Sequence, residues 1–469
     1  MIIYSKNLSG LAAVPRLYGS ALPRVVPKAT LTALVVLCLH QAGDDIVKHS
    51  WMHPYPYQVF AFIVGFAVTY RCNYSYGRYM EGATSMQTLA DKLCEAAITF
   101  SSFSAAGVPP DGGEGGVQAR SDALEGHRGF QAKLLHLTSL LHAVALQQLR
   151  CDAELDNLLP HSSPQPPPVD AAYVFTKSHI HGVCQARRLS PAESQKHIRR
   201  HTTPWPSLKR SIGAQLSTSY HTQDSHNWLS PLTVLGGLLD EERSILERLR
   251  PRHEQCGGQQ QCASRGLCMP TDGSRFYVVL SWLHQLLDAR VLEGGLAMPS
   301  PLISRPYALL SDACAGFSQA KKIAETPFPY PWTQTIWLLL FMFTLTAPLM
   351  ICAYIKALWL QLLITCLAVS TYWALNEVAR DLEDPFVYHP NDLPLAYSQH
   401  SLNEAIQAAA FGEQPSLEGL RAMASGWGSV RFASQSGAGM RGGADAGGQE
   451  HIAHPGVDLR APLLVSVQA

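Results

Sequence analysis

TPFPYPWTQTIWLLLFMFTLTAPLMICAYI, residues 326–355, is followed after Lys356 by ALWLQLLITCLAVSTYWALN, residues 357–376. The first run holds 30 residues and the second 20, with no Asp, Glu, Lys, Arg or His in either. At about 1.5 Å per residue, a helix of about 20 residues spans about 30 Å, the thickness of a bilayer's hydrocarbon core. Two such runs back to back predict two membrane helices, roughly Trp332–Ala353 and Lys356–Asn376, with Pro348 and Lys356 marking a tight reversal between them. A buried helical hairpin is the soluble alternative, but apolar runs of this length are hard to hide in a water-soluble core.

Toward the N-terminus the signals are shorter. Ala29–Leu39 is apolar and extends to about Leu22–Ala42, a first membrane helix. Pro54–Tyr70 carries no charge over 17 residues, a length that fits either a crossing or a core helix. Cys72–Ala97 contains no proline, so this helix continues past Arg71 into polar sequence. The second membrane helix is placed at about residues 56–78.

Composition agrees with apolar residues gathered in a few places. The 469 residues carry 36 Lys+Arg against 36 Asp+Glu, and only 15% are charged, below the roughly 25% of a soluble domain. The balance argues against a nucleic-acid binder, which shows a basic excess. The 11 cysteines form no CxxC pair and several sit in apolar runs, the pattern of reduced thiols rather than a disulfide framework. Cys256, Cys262 and Cys268 are too widely spaced for the closer pairs of zinc sites. Met1–Leu31 lacks the continuous apolar segment of a secretory leader, while its freedom from acidic residues leaves an organelle transit peptide open.

The chain divides as follows: residues 1–100 with two membrane helices, 101–325 as a cytosolic helical region, 326–397 with two more membrane helices and a turn, and 398–469 as a largely disordered tail. In the middle region Leu124–Asp156, Leu232–Arg250 and Phe276–Leu292 read as helical by period. Ala105–Gln118, His161–Val169 and Gln255–Ser274 are polar and rich in Pro or Gly, and read as flexible insertions. The fold class is all-α, multi-pass membrane protein. His181, Cys184, His197 and His201 have near zinc-finger spacing, yet they offer a single thiolate and no finger-like hydrophobic pattern. No phosphate-binding loop, GxSxG or HExxH occurs, so neither enzymatic chemistry nor a cofactor is expected.

Three motifs point further. They are the run Tyr70–Gly82 (YRCNYSYGRYMEG), the run Ala320–Pro329 (AKKIAETPFP), and Glu377–Leu395, which holds Leu382-Glu383-Asp384-Pro385-Phe386 and Pro390-Asn391-Asp392-Leu393-Pro394-Leu395. Together, and with Arg16-Leu17-Tyr18-Gly19-Ser20 and Leu22-Pro23, they resemble the bestrophin-like anion channel family in its bacterial and plant or algal branch. The resemblance covers about residues 11–100 and 300–397, and the middle thinly. It implies a homopentamer around one axial pore, four membrane helices per subunit, both termini in the cytosol, and a pore neck on the second helix. It also implies chloride and other monovalent anions as permeant ions, with bicarbonate or chloride movement across thylakoids in photosynthetic members. Plasma membrane and thylakoid or plastid membrane remain alternatives.

Phe62, Phe66 and Tyr70 fall at i, i+4 and i+8 on one helix face. In a ring of subunits each becomes a layer of aromatics, and the resemblance makes them the neck. Such a stripe can equally be packing against another helix. Tyr70 stands where the family has Phe, which makes the lower layer wetter. Tyr79 and Met80 stand where the family has paired Trp. Arg71, Arg78 and Glu81 lie where the helix leaves the bilayer; Arg78 and Glu81 are i, i+3 neighbours able to pair. The cations read either as a solvated end or as a positive potential that concentrates anions. A second, cytosolic constriction is placed by resemblance near Leu302 or Ile303.

In animal members of the family the loop that corresponds to Glu383–Asp392 clasps calcium. Here Asp384 and Asp392 are the acids carried over as candidate ligands. Tyr388, His389 and Pro390 replace acidic positions, leaving few oxygens for an ion that takes six to eight. The plainer reading is a turn capping the last membrane helix, with no metal. A non-conducting membrane scaffold that binds partners through its insertions is the rival function.

Overall fold

A computed structural model describes residues 19–41, 54–109, 116–161, 166–170, 173–202, 226–249, 274–386 and 391–411. All described residues belong to one compact unit, Met1–Gly412. The tail expected to be disordered from residue 398 begins instead as a helix: residues 398–411 are helical, and Leu402, Asn403 and Ile406 are buried against the rest of the unit. The remainder of that tail and the Cys256, Cys262 and Cys268 loop lie outside the described residues.

In chain order the elements are α1 Leu22–Gln41, α2 Tyr55–Ala106, α3 Gly116–Leu149, β1 Leu158–Pro160, α4 Lys177–Ala186, α5 Pro191–Thr202, β2 Leu232–Val234, α6 Asp240–Arg248, α7 Ser274–Leu292, α8 Ser300–Glu325, α9 Tyr330–Tyr354, α10 Leu358–Glu383 and α11 Leu395–Phe411. The fold is helical, multi-pass and membrane-type. Among the described residues α1, α9 and α10 are long and apolar enough to cross a bilayer. The front of α2 is charge-free, but Gln58, Thr69 and its tyrosines dilute it, and α2 is not among the three.

Two more expectations change. Pro348 does not mark the reversal between α9 and α10: it is buried inside α9. The chain turns at residues 355–357 instead, where Gln361 Nε2 donates to the Ile355 carbonyl at 2.6 Å and satisfies a group left over at the helix end. The segment from Leu232 is not helical at its start. Leu232–Val234 is a strand paired in parallel with Leu158–Pro160, and a helix begins only at Asp240.

The long helix α2 organises the unit. It runs unbroken from Tyr55 to Ala106, as the proline-free stretch permits. Its buried stripe includes Val64, Val68, Arg71, Ser75, Arg78, Gly82, Leu89, Leu93 and Phe100. Steps of four or three, with seven as two turns, follow the 3.6-residue period of an α-helix, so one face stays on its partners along the whole length.

Two apolar cores lie along this stripe. One gathers Val25, Val64, Val68, Ile336, Leu340, Phe343, Ala347, Val369 and Trp373 from α1, α2, α9 and α10. The other is larger and gathers α2 from Met86 to Phe100 with α3, α7 and α8. Within it Phe276 stacks on Phe317 at 3.9 Å between ring centroids. Gly316 lets α8 lie directly on α2, since a Cβ there would sit 3.1 Å from both Leu89 N and Ser85 O.

Candidate functional site

Opposite its buried stripe, α2 presents a face that no other described element covers fully. Phe62 is 74% exposed, Phe66 65% and Tyr70 49%. Below Phe66 the face opens into a shallow groove lined by Thr69, Tyr70, Cys72, Asn73 and Tyr76. Tyr70 is fixed laterally by stacking on Trp332 at 5.4 Å, and Tyr74 meets the edge of Phe328 at 5.5 Å. The proline-rich entry to α9 supplies both partners, so it braces the aromatic face from the side. The three rings therefore share one face: Phe62 and Phe66 stand clear of the packed subunit, and Tyr70 is half-covered by Trp332.

The charged residues that follow point the other way. Arg71 is buried; its Nε donates to Glu383 Oε1 at 2.8 Å and its Nη1 to Asn376 Oδ1 at 2.7 Å. Arg78 is buried too, donating to the backbone carbonyls of Glu383 (3.1 Å) and Ile323 (2.9 Å), with Asp384 at 3.9 Å. Glu81 does not pair with Arg78. It accepts from Lys322 Nζ of α8 at 2.8 Å. These residues are mid-helix rather than at an end, and they fasten α2 to α8 and α10. At the same ends of the membrane helices Arg24 of α1 binds Asp381 through both terminal nitrogens, and Lys28 Nζ reaches Glu377 at 2.9 Å. Lys28 also sits 3.8 Å over the Trp373 ring, a cation–π contact.

Asp384 follows α10 and is half-exposed, whereas Asp392 is buried in the next turn. That turn is tied inward: Leu393 N donates to the Pro385 carbonyl (2.9 Å), Tyr79 Oη to the Asn391 carbonyl (3.2 Å), and Asn391 Nδ2 to the Gly19 carbonyl (3.0 Å). Tyr388, His389 and Pro390 lie outside the described residues. Asp384 and Asp392 are not part of any set of three or more His, Cys, Asp or Glu side chains close enough to hold one ion, among the described residues. Leu302, half-exposed, and Ile303, packed on the large core, occupy the first turn of α8.

Of the zinc-finger-like quartet, Cys184 is buried in a small core with Val174, Ile180 and Leu229, and His197 stacks on Trp228 at 4.3 Å. The side chain of His201 lies outside the described residues. Sequence reading missed a different grouping: His161, His400 and Glu404, each offering one ligand atom within 4.8 Å of the others. The signal available was the i, i+4 spacing of His400 and Glu404; the third member is 239 positions earlier in the chain.

The family model of bacterial and fungal bestrophin proteins matches residues 241–408. No relative among the curated proteins matches. Among solved structures, two single-residue variants of a bacterial bestrophin homologue from Klebsiella pneumoniae are similar in fold. One is 11% identical with a TM-score of 0.48, covering 83% of this chain and 99% of that one. The other is 12% identical with a TM-score of 0.49, covering 84% and 98%. The Tyr70–Gly82 run precedes the matched interval, while the Ala320–Pro329 and Glu377–Leu395 runs fall inside it. The resemblance of this chain to the bestrophin-like family, in its bacterial and fungal form, is thus shown across residues 241–408.

Proposed function

We propose that this chain is one subunit of a passive anion channel for chloride or bicarbonate, built as a homopentamer around an axial pore. The front of α2 is the fourth membrane-crossing helix, and Phe62, Phe66 and Tyr70 form the neck. The observation that carries this reading is the two-sidedness of α2: one face is buried from Val64 to Ser104, while the ring-bearing face stays open. A subunit that packs one face of its central helix so thoroughly and leaves three aromatics outside has a second partner to meet. Lipid alone would not call for a polar continuation through Thr69 and Asn73.

In a ring of subunits the three positions stack as successive layers. Aromatic edges carry positive partial charge and favour an anion that has shed part of its water. A narrow apolar layer can also close by dewetting. Arg71 and Arg78 are neutralised by their partners, so on this reading they position the neck instead of attracting ions through it. Leu302, on the exposed start of α8, is the candidate for a second constriction.

Purified protein in liposomes tests the reading. Anion-selective flux is expected, with Phe66→Ala raising it several-fold and Tyr70→Phe changing the chloride/bicarbonate ratio. Flux absent under every condition would overturn conduction and favour the scaffold. Flux that neither substitution alters would move the neck elsewhere.

A further inference from the structure

His161 follows directly on β1, and its backbone N–H donates to the Val234 carbonyl at 2.8 Å, continuing the two-stranded ladder. Its side chain is nearly fully buried. Facing it is α11, where His400 and Glu404 are one turn apart on the same side. His161 Nε2 lies 2.9 Å from Glu404 Oε1, and His400 Nε2 lies 4.0 Å from that same oxygen. The two imidazole centroids are 5.0 Å apart.

We propose that His161, His400 and Glu404 form a site for a divalent transition-metal ion, zinc foremost, that clips α11 to the end of β1. Two imidazoles and one carboxylate suit a borderline-soft cation and leave a fourth position for water. Zinc bonds of about 2.0–2.1 Å place tetrahedral ligand atoms roughly 3.4 Å apart. Closing from the present spacing takes a small rotation, and Glu404, half-exposed, is free to make it. The support behind the ligands is already built. His161 Nδ1 is 3.1 Å from Thr233 Oγ1, which aims Nε2 at the site. Asn403, between the two α11 ligands, donates to the Thr233 carbonyl at 2.8 Å and holds the helix in register. Because α11 follows α10 in the chain, the clip would fix the membrane helix's exit to the large helical core.

The test is Zn²⁺ binding to the purified full-length protein, followed by metal analysis and thermal unfolding. One tightly held Zn²⁺ per subunit is expected, raising the unfolding temperature. His400→Ala and Glu404→Gln should each weaken binding at least tenfold, and Thr233→Val about tenfold by unorienting His161. Glu404 is exposed enough for its glutamine variant to fold, so loss of binding there is not loss of structure. Co²⁺ in place of Zn²⁺ should give tetrahedral ligand-field bands with no sulfur-to-metal charge transfer. Binding that survives both His400→Ala and Glu404→Gln, a thiolate band, or no Zn²⁺ retained at micromolar concentration would each overturn the proposal. Anion flux plays no part in these readouts, so they stand or fall apart from the channel reading.

Discussion

The two ends of α2 are held by different forces. From Met86 onward it sinks into a large apolar core shared with α3, α7 and α8. Before Arg71 it rests on a smaller apolar cluster, partly aromatic, shared with α1, α9 and α10. Between them lies a belt of buried ion pairs, Arg24 with Asp381, Lys28 with Glu377, and Arg71 with Glu383. In water, burying Leu89 or Phe100 removes apolar surface from solvent and drives packing. Among lipid tails that drive vanishes, because the surroundings are as apolar as the side chains. What ties the membrane helices together at this level is then the belt, whose charges are costly to separate: Arg24 and Lys28 join α1 to α10, and Arg71 joins α2 to α10. A helix held at one level by area and at another by paired charge should answer differently to the same kind of substitution.

The largest effect is expected at the belt. Arg71→Met leaves Glu383 and Asn376 buried without their donor, and removing one partner of a buried pair costs about 3–5 kcal/mol. The double variant Arg71→Met/Glu383→Met should recover most of that, read as the unfolding midpoint in detergent. If the double variant is no better than the single one, the belt is not what joins α2 to α10. Next comes the large core: Leu89→Ala, at a fully buried position, should cost about 2–5 kcal/mol. Leu340→Ala, the same substitution at an equally buried position of the membrane-level cluster, should fall at the low end of that range, about 2 kcal/mol. Equal costs at the two sites would erase the distinction.

How far this was legible in the sequence follows the same division. The uncharged runs at 326–355 and 357–376 located α9 and the start of α10, because length and charge are local properties, but α10 continues seven residues past Asn376, through charged sequence, to Glu383. The absence of proline after Cys72 foretold that α2 continues. Pairing was not local. Spacing suggested Arg78 with Glu81, yet Lys322 takes Glu81, and Arg71 finds Glu383 across 312 positions. Leu232–Val234 read as the start of a helix since three residues are too few to show a period, and its partner strand lies 74 positions upstream. His161 meets His400 for the same long-range reason. The aromatic face of α2 was legible as a stripe; that it stays uncovered was not, because exposure depends on where every other helix goes.

Protonation should separate the regions more gently. His142 sits fully buried in the large-core half, donating through Nδ1 to Gln399 Oε1 at 2.6 Å. Burial holds its pKa down to about 4, with the Gln399 bond only partly offsetting. The unfolded chain takes up this proton near pH 6.5, so it binds more protons than the fold between pH 6.5 and about 4. Stability is therefore present above 6.5 and lost as pH falls, by about 1.4 kcal/mol per pH unit from this group alone. His127 and His179 are also lowered by burial and add to the slope. His136 acts in the other window: burial lowers its pKa, but hydrogen bonds to Glu242 and the Leu235 carbonyl outweigh it and raise it. Its contribution is whole below 6.5 and fades as pH rises through the raised value. His142→Gln should thus flatten the acid limb of a pH–stability curve and leave the alkaline limb unchanged.

The smallest effect on folding is expected where the functional consequence is greatest. Phe66 contacts little within the subunit, so Phe66→Ala should shift the stability of an isolated subunit by no more than about 0.5 kcal/mol, as surface substitutions do. If the ring faces a shared pore, the same substitution widens a layer repeated around the axis and changes flux several-fold. If it faces lipid, neither quantity moves. If it faces a neighbouring subunit as plain packing, oligomer stability falls while the anion preference stays as it was. Measuring unfolding, oligomer mass and flux on this one variant therefore separates the three surroundings open to an uncovered aromatic face. Among these, a large change in flux without a change in assembly belongs to a pore alone.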